Sequence, residues 1–160
     1  MNNPWNAETG CCPRFDPGPW QEKEVAWEDK LFVKDRVRTF CYMPLGFGKV
    51  VVRNMAKIEK AGAFTAEPLM LSDHTSKWNM DVYIAVTKEV PDADNVRLSG
   101  TYLSKVFEGP YKDTGKWCSQ MRQWVESGGR TIGKLFMFYT TCPRCAKTYG
   151  KNYTVILAQV

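Results

Sequence analysis

The feature that most constrains this chain of 160 residues is an internal repeat with an offset of 66 positions. The offset relates Pro44 to Pro110 and Gly62 to Gly128, and between each pair lies a segment with apolar residues at positions i, i+1, i+4 and i+7. That spacing places the apolar side chains on one face of a helix. We therefore predict a duplicated unit of one strand, one helix and two further strands.

The elements of both copies follow from periodicity and turn residues. Alternation of apolar and polar residues predicts strands, and Pro or Gly ends them. In the first copy we expect a strand over 31–43, a helix over 48–61 and strands over 68–72 and 80–87. In the second we expect a strand over 96–107, a helix from 113 or 114 to 127, strands over 134–140 and 153–160, and a loop insertion at 142–150.

Two such units bury a core better together than either does alone. The prediction is therefore an α+β domain over 31–160, with repeat one at about 31–90, repeat two at about 96–160 and a pseudo-twofold axis between them. Clefts between packed units are common small-molecule sites. We accordingly expect a central ligand groove.

The first 30 residues are expected to form an extended N-terminal arm. Four prolines and two glycines within the first 20 residues exclude a persistent helix or a central strand. Trp5, Phe15 and Trp20 are costly to leave in water, so the arm should pack along the domain. Residues 21–30 fit either a short helix or an edge strand.

Composition limits the partners. Hydrophobic residues make up 44% and charged residues 24% of the chain, which excludes a largely disordered protein. The net charge is +5, but basic residues are interspersed with acids, so we predict no nucleic-acid binding. We find neither a membrane-spanning apolar run nor a signal sequence, and we expect a cytoplasmic monomer or homodimer.

Several motifs resemble one family. They are the Gly109-Pro110-Tyr111 turn into the second helix, Trp124 on that helix and Tyr139 at a strand end. Together with the duplicated unit, they resemble the GyrI-like small-molecule-binding domain superfamily. The Cys11-Cys12 pair and the Cys142-Pro143-Arg144-Cys145 segment are similar to a stand-alone bacterial branch that is often labelled hydrolase or uncharacterised.

The resemblance implies a function. Related grooves take hydrophobic, planar, often aromatic or cationic compounds, and some stand-alone members hydrolyse the cyclopropane ring of DNA-alkylating cyclopropanoid natural products as a detoxification. Sensor-type members carry an acidic residue near the final strand, which residues 152–155 lack. We therefore expect binding of a hydrophobic planar molecule with hydrolysis, and a non-catalytic binding or sequestering protein is the alternative.

Glu108 and Tyr111 are the predicted catalytic residues. If Glu108 faces the cleft among Phe107, Tyr111 and Tyr139, loss of water would strengthen its carboxylate as a general base. The alternative is an exposed turn carboxylate. The predicted ligand-binding residues are Trp78, Tyr83, Phe107 and Tyr139, all of which offer aromatic surface.

The cysteines and the single histidine complete the candidates. Cys41 and Cys118 lie in apolar patterns and are expected in the core. Cys142 and Cys145 have the spacing of a zinc half-site, which Cys11 and Cys12 could complete, or they could form a reversible disulfide. Because adjacent cysteines point apart, we expect no bound metal or cofactor, and a zinc or thiol interaction module is the remaining alternative. His74 is expected to be exposed.

Overall fold

The computed structural model describes residues 12–141 and 143–160, which form two compact units. The first unit comprises Glu28–Ser99, and the second comprises residues 12–27 and Gly100–Val160. Each unit contains antiparallel strands and one long helix, so the predicted α+β class is confirmed. Among the described residues, the helices are too short or too polar to cross a membrane.

The first unit is a four-stranded antiparallel sheet with one helix. Its elements are β1 (Lys23–Phe40, of which residues 28–40 belong to this unit), β2 (Met43–Leu45), α1 (Phe47–Ala61), β3 (Met70–Asp73) and β4 (Asn79–Ala85). The strand order is β2-β1-β4-β3. Helix α1 covers one face of the sheet, where Ile58 packs in a cluster with Val33 and Ile84.

The elements of the second unit are β5 (Asp94–Glu108, of which residues 100–108 belong to this unit), a 3₁₀ turn (Tyr111–Asp113), α2 (Thr114–Ser127), β6 (Lys134–Tyr139), α3 (Pro143–Tyr149) and β7 (Tyr153–Gln159). The strands are antiparallel in the order β6-β7-β5, and residues 23–27 of β1 also belong to this unit. Helix α2 buries Trp117, Met121 and Val125 against Met137 and Ile156 of the sheet. This cluster is the core of the unit.

The N-terminal segment of the second unit lies against the sheet face that α2 does not cover. The rings of Phe15 and Trp20 lie 5.9 and 5.7 Å from that of Phe138. Ser104 Oγ donates a hydrogen bond to the carbonyl of Trp20 at 2.7 Å. Trp5, which we also expected in these contacts, lies outside the described residues. Ring packing and a side-chain hydrogen bond thus hold an otherwise irregular segment.

Two expectations about secondary structure and one about burial were wrong. The strand predicted over 31–43 ends at Phe40, because Cys41 and Tyr42 turn the chain with φ of 47° and 70° into the short strand β2. Cys41 is therefore exposed and is not a core residue. The predicted loop at 142–150 contains helix α3. Residues 21–30, for which a short helix and an edge strand were both open, contain the start of strand β1 at Lys23.

The helical faces also differ from the expectation. Val52 is 58% exposed, whereas Asn54 and Ile58 are buried on α1. Their counterparts by burial on α2 are Met121 and Val125, which lie 67 positions later, so the helices correspond with an offset one residue larger than predicted. Both units run strand, helix, strand, strand, apart from the added β2 and α3. The duplication and the pseudo-twofold axis stay predictions.

Candidate functional site

A surface groove of about 330 Å³ in the second unit contains the predicted catalytic carboxylate. We call it the Glu108 groove, and its lining residues are Pro17, Gly18, Gln21, Val106, Glu108 and Tyr153. Glu108 is the last residue of β5 and lies opposite Tyr153, the first residue of β7. The volume is at the lower end of the range for small-molecule pockets.

Strand alternation and the N-terminal segment together build this groove. Along β5, Val106 and Glu108 point away from α2, whereas Phe107 between them points toward it. Gln21 Oε1 accepts a hydrogen bond from the backbone N–H of Val106 at 2.8 Å. The N-terminal segment, which supplies Pro17, Gly18 and Gln21 as the second wall of the groove, is therefore fixed to β5 beside the carboxylate.

Glu108 does not lie among the aromatic residues with which we grouped it. Its side chain is exposed, and Phe107 is buried on the other face, where its ring stacks on Trp117 at 5.9 Å. Gly109 has a φ of 145°, and a Cβ there would lie 3.2 Å from the Trp117 ring. Glu108 is thus not the desolvated carboxylate that we expected, and Phe107 is a core residue.

Tyr111 and Tyr139 form a separate cluster on the side of α2. Their ring centroids lie 5.7 Å apart, and the hydroxyl of Tyr111 donates to the carbonyl of Thr141 at 2.7 Å. Burial raises the pKa of Tyr139 to about 12, and neighbouring Cys118 and Tyr111 add to the rise while a hydrogen bond with Thr114 opposes it. Tyr139 is therefore a neutral phenol at neutral pH.

Trp78 and Tyr83, the other predicted ligand-binding residues, belong to the first unit. Tyr83 is 6% exposed, and its ring meets the edge of Phe32 at 6.3 Å. Trp78 is 54% exposed and lies 5.7 Å from the ring of Phe40. Within either unit, the structure thus brings together only subsets of the predicted site.

The remaining candidates are the cysteines and the single histidine. Cys11 and Cys142, two of the four predicted zinc ligands, lie outside the described residues, and within the described part no three His, Cys, Asp or Glu side chains are grouped as metal ligands. Burial raises the pKa of the half-buried Cys118 thiol, against the effect of Arg122. His74 is half-buried rather than exposed, and burial lowers its pKa against the effect of Asp73.

Sequence reasoning missed Tyr153, Gln21 and Pro17 as lining residues of the Glu108 groove. The alternation of β5 could have placed Glu108 on the face opposite Phe107. No local signal in the sequence pairs Tyr153 with Glu108 or brings residues 17–21 to β5, because both depend on contacts between distant segments.

Comparisons with known proteins agree on the fold. A family model described as bacterial hydrolase matches residues 2–160. No curated protein matches this sequence. Similar solved structures include the EcmrR C-terminal domain (15% identity, 88% of this chain and 96% of that chain, TM-score 0.67) and a hydrolase from Listeria innocua (17%, 87% and 91%, 0.59). The structure of the EcmrR–DNA complex is also similar (15% identity, 88% of this chain, TM-score 0.66), and there the match covers 57% of the EcmrR chain.

Proposed function

The chain belongs to the bacterial hydrolase family, a stand-alone bacterial branch of the GyrI-like superfamily, and on this premise we propose that it binds a hydrophobic planar small molecule in the Glu108 groove and hydrolyses it. The observation that carries the proposal is the position of Glu108. A carboxylate lies in a groove of about 330 Å³ whose other walls are largely apolar or aromatic. Such a combination of apolar surface and a few polar groups is typical of small-molecule sites.

The groove favours a planar ligand with a cationic or hydrogen-bond-donating group. Tyr153 offers an aromatic face, and the ring of Phe15 supports it at 5.7 Å. Lys151 Nζ already lies 6.0 Å from the Tyr153 ring, so this face accepts a positive charge. The Glu108 carboxylate opposite Tyr153 would pair with the polar end of the ligand, while Pro17 and Val106 contact its apolar body.

Hydrolysis would use Glu108 as a general base. For a cyclopropane conjugated to a carbonyl, the oxygen of water bonds to a ring carbon and the strained carbon–carbon bond breaks. Its electron pair moves into the conjugated carbonyl and gives an enolate. Glu108 accepts the proton that water loses and then returns it to the enolate, so that one molecule of water is added across the broken bond. A planar ligand over the groove excludes bulk water, which strengthens the electrostatic interactions of the carboxylate with the reacting groups.

The test is to incubate the protein with a cyclopropanoid alkylating compound and to follow ring opening by mass spectrometry. Glu108→Gln keeps the shape of the side chain but removes the base, so turnover should fall by about 10²-fold or more while ligand binding persists. Glu126→Gln, an exposed acid on α2, is the matched control and should retain full turnover. Equal turnover in Glu108→Gln would contradict the proposed role of this residue.

A second measurement separates hydrolysis from sequestration. Binding of the same compound by calorimetry, with Tyr153→Leu as the variant, reports on the groove independently of chemistry. Loss of a cation–π or stacking contact should weaken binding by about three- to thirtyfold. Saturable binding by the wild type with no ring opening would favour the sequestering alternative over the hydrolase.

A further inference from the structure

The first unit carries a concentration of exposed apolar side chains that its fold does not use. Among the described residues, the large hydrophobic side chains that are exposed all belong to this unit, namely Phe40, Tyr42, Met43, Leu45, Val52 and Trp78. All but Val52 lie on the β1–β2 hairpin or on the turn between β3 and β4 beside it. Exposed apolar surface concentrated in this way commonly marks a binding site.

A groove of about 440 Å³ runs through this surface. We call it the Trp78 groove, and its lining residues are Arg38, Thr39, Leu45, Trp78 and Asn79. Arg38 on β1 lies directly opposite Leu45 on β2 and Asn79 on β4, so these three side chains share the sheet face that α1 does not cover. Trp78 and Leu45 provide apolar walls, and Arg38 and Asn79 provide hydrogen-bond donors.

Hydrogen bonds hold the walls of the Trp78 groove in place. The backbone N–H of Thr39 donates to the carbonyl of Trp78 at 2.9 Å, and Thr39 Oγ1 donates to the carbonyl of Lys77 at 2.7 Å. The backbone N–H groups of Trp78 and Asn79 both donate to Ser76 Oγ at 3.1 Å. The turn that carries Trp78 is thereby fixed to β1, so a ligand would meet a preformed site.

The charges on this sheet face favour an anion. Arg38 is exposed and makes no ion pair with any residue that the structure describes. Farther along β1, Lys34 and Arg36 lie 3.7 and 3.6 Å from a single acid, Asp81. The two basic side chains outweigh this one carboxylate, so it does not neutralise the charge of Arg38. A guanidinium beside an aromatic ring binds a carboxylate or sulfonate attached to a planar ring system.

We propose that the Trp78 groove is a second ligand site, distinct from the Glu108 groove, and that it binds a planar aromatic anion. The ring system of the anion packs on Trp78 and Leu45, and its acidic group accepts hydrogen bonds from Arg38 and the Asn79 amide. The site is independent of the proposed hydrolysis, because its lining residues all belong to the first unit and Glu108 belongs to the second.

The test uses naphthalene-1-sulfonate as the probe and 1-naphthylmethylammonium as its cationic counterpart, with binding measured by calorimetry. The sulfonate should bind saturably, and the ammonium compound should bind at least tenfold more weakly. Arg38→Gln and Trp78→Ala should each weaken sulfonate binding about tenfold. Arg122→Gln, at an exposed arginine on α2, should leave it unchanged.

Three results would overturn the proposal. The first is equal binding of the two probes, and the second is undiminished sulfonate binding by Arg38→Gln. The third is a wild-type dimer in sedimentation that Trp78→Ala dissociates, because this result would assign the surface to a second copy of the chain. Trp78→Phe retains a ring, so it should keep most of the affinity and distinguishes loss of the aromatic wall from misfolding. Unfolding midpoints of all variants verify that the fold persists.

Discussion

The substitution Asn54→Ala tests the polar contact that joins α1 to β1. Asn54 is 2% exposed, and its Nδ2 donates to Asp35 Oδ2 at 2.7 Å and to the carbonyl of Val50 at 2.8 Å. A hydrogen bond to a charged group contributes about 1.5–3 kcal/mol, and the better helix propensity of alanine returns about 0.5 kcal/mol. The free energy of unfolding, measured with urea at pH 7, should therefore fall by about 2 kcal/mol.

Arg53→Ala is the matched control, because Arg53 donates to the same Asp35 oxygen at the same distance of 2.7 Å. The Arg53 side chain is 54% exposed, so water replaces its interaction when it is removed. An exposed ion pair of this kind contributes up to about 1 kcal/mol. The reasoning fails if Arg53→Ala lowers the free energy of unfolding as much as Asn54→Ala does.

The pH dependence of the same two variants gives a second test. Burial alone would raise the pKa of Asp35, but hydrogen bonds from Asn54, Arg53 and the backbone N–H of Arg36 outweigh it and hold the pKa below its ordinary value. A depressed carboxyl pKa stabilises the fold above about pH 3.9, and this stabilisation is lost as the pH falls through the folded-state pKa. The penalty of Asn54→Ala should accordingly shrink in acid, and a penalty that stays constant with pH would contradict this account.

Three further predictions concern positions outside both grooves. Gly109→Ala should lower the free energy of unfolding by about 1–3 kcal/mol in urea titration, because a side chain is strained at a φ of 145° and a Cβ would lie only 3.2 Å from the Trp117 ring. Since burial lowers the pKa of His74, the unfolded state binds more protons, so stability should rise as the pH increases toward about 6.5, and His74→Gln should flatten that rise in unfolding midpoints. Cys41 is exposed and Cys118 is half-buried with a raised pKa, so Cys41→Ser should remove more of the fast reaction with Ellman's reagent than Cys118→Ser.

The helices were predictable because their signals are local. Apolar spacing and following glycines predicted a helix over 48–61 and another ending at residue 127, and the structure has Phe47–Ala61 and Thr114–Ser127. The buried faces of the two helices correspond at 67 positions rather than the predicted 66, and the buried Asn54 on α1 was not among the residues from which the offset was counted. A buried amide that bonds to Asp35 cannot be distinguished in sequence from an exposed one.

The missed features depend on rarer conformations or on distant contacts. The hairpin at Cys41 and Tyr42 needs two residues at positive φ, which turns normally assign to Gly, Asn or Asp. If this hairpin had been identified, the sequence would have predicted that β1 ends at Phe40 and that an aromatic surface lies exposed beside Trp78. Residues 17–21, which form the second wall of the Glu108 groove, lie about 90 positions before the end of β5 in the chain. Only their contact with β5 in the folded protein reveals this wall.

Both proposed sites lie on the sheet face that the long helix of their unit leaves uncovered. Arg38 lies near the end of β1 beside the Trp78 groove, and Glu108 is at the end of β5 in the Glu108 groove. The helix-covered face must stay apolar because it forms the core, as the clusters around Ile58 and Met121 show. On the uncovered faces, by contrast, Arg38 and Glu108 are exposed, so these two residues can differ in charge with little effect on the core. We therefore attribute their opposite charges to the different ligands that we propose for the two grooves.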